Sequence, residues 1–306
     1  MQLLIGTTDQ IGGEPMSAEN KFNSSLPVLL GVMGDPIAHS KSPAMHNAAL
    51  QAAGVEGMYM PLHVKPDQLQ AAVRGITALG YRGVNVTIPH KEQVMQYLDV
   101  IDESARLIGA VNTIVNDNGT LTGYNTDGMG YVRSLKEEAV PQIEGKRIAV
   151  LGAGGAARGV IYALALEKPE QISILNRTAD RATALAEDLR SYSLGDISGS
   201  GMHEAQAVLA DADIVINTTA AGMHPHVHDL PVDPAWIRLG AAVSDLIYNP
   251  LETRLLRESR IRGCTVHGGL GMFIYQGAIA FEHWLGIPAP IDTMRRAVLD
   301  SFTNNN

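Results

Sequence analysis

From residue 28 onward the chain alternates short, continuous apolar runs with longer amphipathic stretches that end at glycine. A strand covered on both faces reads as an unbroken apolar run, and residues 28–33 (Val-Leu-Leu-Gly-Val-Met) are one. Ser42-Pro43 then opens a helix, with serine as N-cap and proline in the first helical position, stopping at Gly54. Residues 58–64 predict a second strand, 66–79 a helix closed by Gly80, and 83–88 a third strand broken by Pro89. Helices are expected over 90–98 and 102–108. A strand pair is expected over 110–115 and 120–124, around the turn signal Asp117-Asn118-Gly119.

After a helix over 128–138 and a polar linker over 141–146 the pattern starts afresh. Strands are expected over 147–151, 171–175, 212–216 and 242–247, with helices over 156–166 and 179–191. Two last helices, over 272–285 and 292–302, can belong to either block. Strands alternating with helices imply parallel sheets built from right-handed crossovers. The expected fold class is therefore α/β with two domains, each an open, mostly parallel sheet. The 306 residues suit that division, at about 150 per domain.

Composition narrows the chemistry. A net charge of −9 argues against nucleic acid or an anionic membrane as the main partner, so an anionic ligand needs local positive groups. The single cysteine, Cys264, excludes an internal disulfide and a cysteine-based zinc site, and suits a reducing compartment. Residues 1–27 carry no signal-peptide pattern and read as a loose tail, and no run of about 18 apolar residues is present. A cytoplasmic location is expected, with monomer and homodimer both open. His224, His226 and His228 alternate along one loop; alternate residues point to opposite sides, so no metal is expected there.

Two places carry chemistry. Gly152-Ala153-Gly154-Gly155-Ala156-Ala157 lies between a predicted strand and helix, the setting of the dinucleotide fingerprint. Its glycines allow a tight turn and close approach of a pyrophosphate to free helix N–H groups. The next strand ends in Asn176-Arg177-Thr178, with Arg181 following, where an NAD site places a carboxylate for the ribose. A guanidinium suits a 2′-phosphate, so NADP is preferred over NAD. Thr178 also suits a plain helix cap. The second place is Asn85-Val-Thr87-Ile-Pro89-His-Lys91, at the end of the third strand, with Asn125-Thr-Asp127-Gly128 at another strand-to-helix junction. Lys91 in a first helical turn would feel the positive end of the dipole, lowering its pKa toward a value useful in proton transfer. Singly, Lys91 reads equally as a solvated lysine, Asp127 as a cap and Ser42 as an N-cap.

Together these segments resemble the shikimate dehydrogenase family. Gly31-Val-Met-Gly-Asp-Pro36, His39-Ser-Lys-Ser-Pro43 with His46-Asn47, Gly83 to Lys91, Gly109-Ala-Val-Asn-Thr113 and Asn125-Thr-Asp-Gly128 follow its motifs in order. The glycine turn, Asn176-Arg-Thr178, Asp245-Leu-Ile-Tyr248, Gly269-Leu-Gly-Met272 and Tyr275-Gln-Gly277 continue them to the C-terminal region. The resemblance implies reversible reduction of 3-dehydroshikimate to shikimate with NADPH, in the pathway to chorismate and aromatic amino acids. It implies that Ser40 and Ser42 bind the substrate carboxylate, and that Asn85, Thr87, Asn112, Asp127 and Gln276 bind its hydroxyls. Tyr248 would close over the substrate, with Lys91 as general acid/base and Asp127 beside it. The cofactor would lie against residues 152–156, Asn176, Arg177, Thr178, Arg181, Leu246 and Gly269. The domains expected are 28–127 completed by 269–306 for substrate, and 128–268, Rossmann-like, for NADP. A quinate/shikimate dehydrogenase using NAD or NADP is the alternative within the class. A non-catalytic regulatory binder is the alternative outside it, and Lys91 with Asp127 speaks against that.

Overall fold

The computed structural model describes residues 26–193 and 195–303. The expected tail falls almost wholly on residues 1–25, outside the described residues. The first sheet holds β1 (Val28–Gly34), β2 (Gly57–His63), β3 (Tyr81–Val86), β4 (Val100–Ile101), β5 (Thr113–Asp117) and β6 (Thr120–Tyr124). Their order is β2-β1-β3-β5-β6-β4. β1 pairs in parallel with β2 and β3, whereas β5 runs antiparallel to both β3 and β6. The hairpin from β5 to β6 turns at Asn118 and Gly119, whose φ of 52° and 97° a tight turn requires and Asn and Gly readily adopt.

Both faces of this sheet are covered, which explains the unbroken apolar run in β1. Val28, Leu30 and Val32 pack on one side with Met45 and Leu50 of α1 (Ser42–Ala52). Phe281 and Trp284 of α9 (Leu270–Leu285) and Met294 of α10 (Ile291–Thr303) join the same core. Met33 faces the other way, toward Leu69 and Val73 of α2 (Leu69–Ala78) and Ala105 of α3 (Glu103–Ile108).

The second sheet is wholly parallel: β7 (Arg147–Leu151), β8 (Gln171–Asn176), β9 (Asp196–Gly201), β10 (Ile214–Asn217), β11 (Ala242–Asp245) and β12 (Thr265–His267). Its order, β12-β11-β10-β7-β8-β9, is the doubly wound arrangement of dinucleotide-binding sheets. α5 (Gly155–Ala165) and α6 (Ala179–Leu189) cover one face, and α7 (Ala205–Asp211) with α8 (Arg254–Ile261) the other. Helix α4 (Asp127–Glu138) links the sheets and lies against both α5 and α9. A Cβ on Gly128 would sit 2.1 Å from the carbonyl oxygen of Gly159 in α5, so only glycine permits this contact.

The α/β class and both sheets agree with the sequence reading; several details differ. Residues 90–98 form only a 3-10 helix at Gln93–Tyr97, because the Lys91 carbonyl accepts from Val111 N–H at 2.8 Å instead of entering a helical ladder. The dipole argument for Lys91 therefore loses its basis. Ser42 is the first residue of α1, with Lys41 in the cap position and no side-chain cap bond. The sequence pattern does not predict β4, β9, β12, α7 or α8. β9 (Asp-Ile-Ser-Gly-Ser-Gly) carries one apolar side chain and is defined by its backbone pairing with β8.

Candidate active site

Adjacency of β3, β5 and β6 brings four distant polar residues together. Asn85 pairs in register with Thr113, and Thr113 with Tyr124, so the end of β3 lies beside the start of β5 and the entry to α4. There Lys91 Nζ donates to Asp127 Oδ2 at 2.7 Å, with the two side chains 32% and 24% exposed. The other Asp127 oxygen accepts from Asn112 Nδ2 at 2.8 Å. Asn112 Oδ1 in turn accepts from Thr126 N at 2.9 Å and Thr113 Oγ1 at 3.0 Å. Asn85 Nδ2 donates to Thr113 Oγ1 at 3.0 Å and to the Asn112 carbonyl at 3.1 Å. The pair thus has a fixed carboxylate and an ammonium still open to solvent, which suits proton exchange with a bound molecule.

The remaining predicted substrate residues come from several elements. Ser42 is buried, and its N–H donates to Ser40 Oγ at 3.3 Å. Thr87 is half-buried just past β3, its methyl close against Gly34. Gln276 is buried on α9, its Nε2 donating to the Phe273 carbonyl at 2.8 Å. Tyr248, in the loop after β11, reaches across to the other half of the molecule, its ring 5.2 Å from that of Phe273 and 6.4 Å from that of Phe302. Burial pushes its phenol pKa up. That loop is pinned by buried Asp245, which accepts from Thr253 Oγ1 (2.8 Å), Asn217 Nδ2 (3.1 Å) and Ile247 N (3.1 Å). Burial raises the Asp245 carboxyl above its ordinary value, more than these bonds lower it.

The glycine turn forms a second open place. Gly152 has φ 108°, and a Cβ there would lie 2.6 Å from Thr218 Oγ1, so the turn excludes any side chain. Gly154, Gly155 and Ala156 are exposed at the start of α5, and nothing stands within 4 Å of a Cβ on either glycine. Ala153 is half-buried beside them. Asn176 ends β8, its Nδ2 donating to the Thr178 carbonyl at 3.0 Å. Thr178 stands at the N-cap of α6 without making a side-chain cap bond. Arg177 and Arg181 are exposed, and among the described residues neither guanidinium has an acidic partner. These residues fit a nucleotide bearing an extra phosphate: open N–H groups, a steric cradle and two free cations. Gly269 lies tight against the Leu246 carbonyl, closing the loop side of this region.

Three contributors escape the sequence reading: Tyr59, Thr113 and Thr126. Tyr59 OH donates to Asn85 Oδ1 at 2.7 Å from two strands away, a contact that no spacing along the chain encodes. Thr113 and Thr126 adjoin predicted residues, and only the pairing of β5 with β6 shows that they bond Asn112. His224, His226 and His228 are all exposed, and among the described residues no group of three or more His, Cys, Asp or Glu side chains is placed to hold a metal ion. No helix among the described residues is long and apolar enough to cross a membrane.

A doubly wound nucleotide-type sheet, joined to a second sheet that carries a lysine–carboxylate pair, defines a dinucleotide-linked α/β enzyme architecture. The chain belongs to the shikimate dehydrogenase family. Residues 32–114 match the shikimate dehydrogenase substrate-binding domain, 134–232 the shikimate/quinate 5-dehydrogenase model, and 269–299 the shikimate 5′-dehydrogenase C-terminal domain. It is 47% identical over 275 residues to the shikimate dehydrogenase (NADP(+)) of Geobacillus kaustophilus, covering 89% of this chain and 98% of that protein. Shikimate 5-dehydrogenase of Thermus thermophilus, solved with NADP(H) and shikimate, superposes with a TM-score of 0.80 at 35% identity, covering 89% and 99% of the two chains. The Listeria monocytogenes enzyme, solved with shikimate and NAD, gives 0.84 at 37% identity, covering 89% and 96%.

Proposed function

We propose that the protein catalyses the reversible NADPH-dependent reduction of 3-dehydroshikimate to shikimate. The observation that carries this reading is the Lys91–Asp127 pair, at 2.7 Å beside Asn85 and Asn112, in a chain whose second sheet has an open glycine turn and two arginines with no acidic partner among the described residues. Bound NADP(H) supplies the hydride chemistry. Lys91 gives a proton to the C3 oxygen as the carbonyl is reduced and recovers it in the oxidative direction. Asp127, held by Asn112, keeps the ammonium aimed at that oxygen.

Ser40 and Ser42 at the start of α1 hold the substrate carboxylate, and Asn85, Thr87, Asn112, Asp127 and Gln276 select its hydroxyls. Tyr248 covers the bound molecule and excludes water. The N–H groups of residues 152–156 face the pyrophosphate. Asn176, Arg177, Thr178 and Arg181 take the 2′-phosphate, while Leu246 and Gly269 complete the cofactor's surroundings. On this reading residues 28–127 with 269–306 form the substrate domain and 128–268 the NADP domain, working in the cytoplasm on a small molecule rather than on nucleic acid or membrane.

The Listeria relative's NAD complex makes NAD use the second reading. The end of β8 favours NADP, because Asn176 stands where a ribose-binding carboxylate would be needed. The test is an oxidative assay pairing shikimate or quinate with NADP or NAD, on the wild type and on Arg177→Ala. Turnover should be greatest with shikimate and NADP, and the variant should weaken NADP far more than NAD. No turnover with either substrate overturns the reading; equal loss for both cofactors overturns the role of Arg177.

A further inference from the structure

Tyr59 cannot reach a ligand itself: it is 1% exposed and sits on β2, separated from β3 by β1. Its ring is nevertheless held with unusual care. His46 stacks on it with centroids 4.3 Å apart and planes 12° from parallel, and Trp284 stands 6.1 Å away. Asn47 grips its backbone from both sides, donating to the Tyr59 carbonyl at 2.9 Å and accepting from its N–H at 2.8 Å. His46 is fully buried, neither ring nitrogen has a hydrogen-bond partner among the described residues, and burial lowers its pKa to about 3. The platform beneath Tyr59 is therefore neutral.

The hydroxyl at the end of this ring donates to Asn85 Oδ1 at 2.7 Å. Both Asn85 N–H groups are committed, to the Asn112 carbonyl and to Thr113 Oγ1. From there the bonds continue through Thr113 Oγ1 to Asn112 Oδ1 (3.0 Å) and Asn112 Nδ2 to Asp127 Oδ1 (2.8 Å). From Tyr59 onward every donor points toward Asp127, and bonds aligned in this way polarise one another.

We infer that Tyr59 is a positioning residue that orients Asn85 and, through it, the Asn85–Asp127 end of the substrate pocket. This rests on the function proposed above. With both N–H groups used, Asn85 meets a substrate hydroxyl through the remaining lone pair of Oδ1, as an acceptor, and the Tyr59 hydroxyl fixes that oxygen in place.

Calorimetric titration of the full chain with shikimate, and separately with NADP, tests this on four proteins: wild type, Tyr59→Phe, Asn85→Ala and the double variant. Tyr59→Phe keeps the stacked ring and removes only the hydroxyl. It should weaken shikimate binding about tenfold, the loss expected when a buried acceptor loses its donor, and leave NADP binding unchanged. In the Asn85→Ala background the same substitution should change shikimate affinity less than about twofold, because its effect passes through Asn85. Wild-type affinity in Tyr59→Phe, or an equal penalty in both backgrounds, overturns the positioning role while leaving the proposed function standing. A wild-type protein that binds no shikimate overturns both.

Discussion

An ion pair between partly exposed side chains adds little net stability, so Lys91 and Asp127 are not explained by folding alone. Their value lies in geometry: Asn112 holds one carboxylate oxygen and the lysine takes the other. Lys91→Ala should lower kcat roughly 100-fold or more with a modest change in KM, as expected on removing a group that moves a proton in the transition state. Steady-state kinetics with shikimate and NADP measure this, and a near-normal kcat rejects the assignment. Lys91 and Asp127 are legible in the sequence because each lies just beyond the end of a strand, β3 and β6, where sheet enzymes gather polar side chains. The dipole argument for Lys91 fails, since no α-helix starts there. Tyr59 is illegible for a different reason: its partner is a neighbour only after β1 has been laid between β2 and β3.

At the scale of elements, hydrophobic runs reveal the strands buried on both faces and miss those formed by pairing alone. β7 and β10 announce themselves through runs of apolar side chains, whereas β9 and the two-residue β4 do not. α8 escapes the pattern because it is rich in arginine; Leu255 and Leu256 are its buried apolar side chains, and Thr253 caps it by accepting from Leu256 N. α4 is expected from the sequence, but its glycines give no hint of how near α5 lies. Gly128→Ala sets a methyl against the Gly159 carbonyl, a backbone atom that cannot step aside without moving α5. Overpacking of this kind costs about 1–3 kcal/mol, so Tm should fall by several degrees. A thermal melt of that variant indistinguishable from wild type would show that the two helices stand further apart in solution.

Across the whole molecule, α4 ties both sheets into one stability problem, and buried histidines set its response to acid. His267 lies between Ser134 of α4 and Ser244 of β11, at 2.7 and 2.8 Å, with the Tyr131 hydroxyl donating to Ser244. Glu138 is 3.8 Å from His267 and also pairs with Arg295 of α10. Burial first, and then Arg295, lowers the His267 pKa to about 4; burial alone lowers that of His46 to about 3. Both rings are neutral in the fold, whereas in the unfolded chain they bind a proton near pH 6.5. Below that pH unfolding takes up protons and stability falls, until the folded rings titrate in turn. Between pH 6.5 and 4.5 each histidine should remove roughly 2–3 kcal/mol. Asp245, whose carboxyl burial raises, acts in the opposite sense, so the comparison must be made against a variant over the same interval. Urea unfolding at pH 7 and pH 4.5 should show a smaller difference for His46→Phe than for wild type, because the aromatic platform remains and its titration is gone. Equal differences in the two proteins would mean that His46 is not held neutral by the core that surrounds Tyr59.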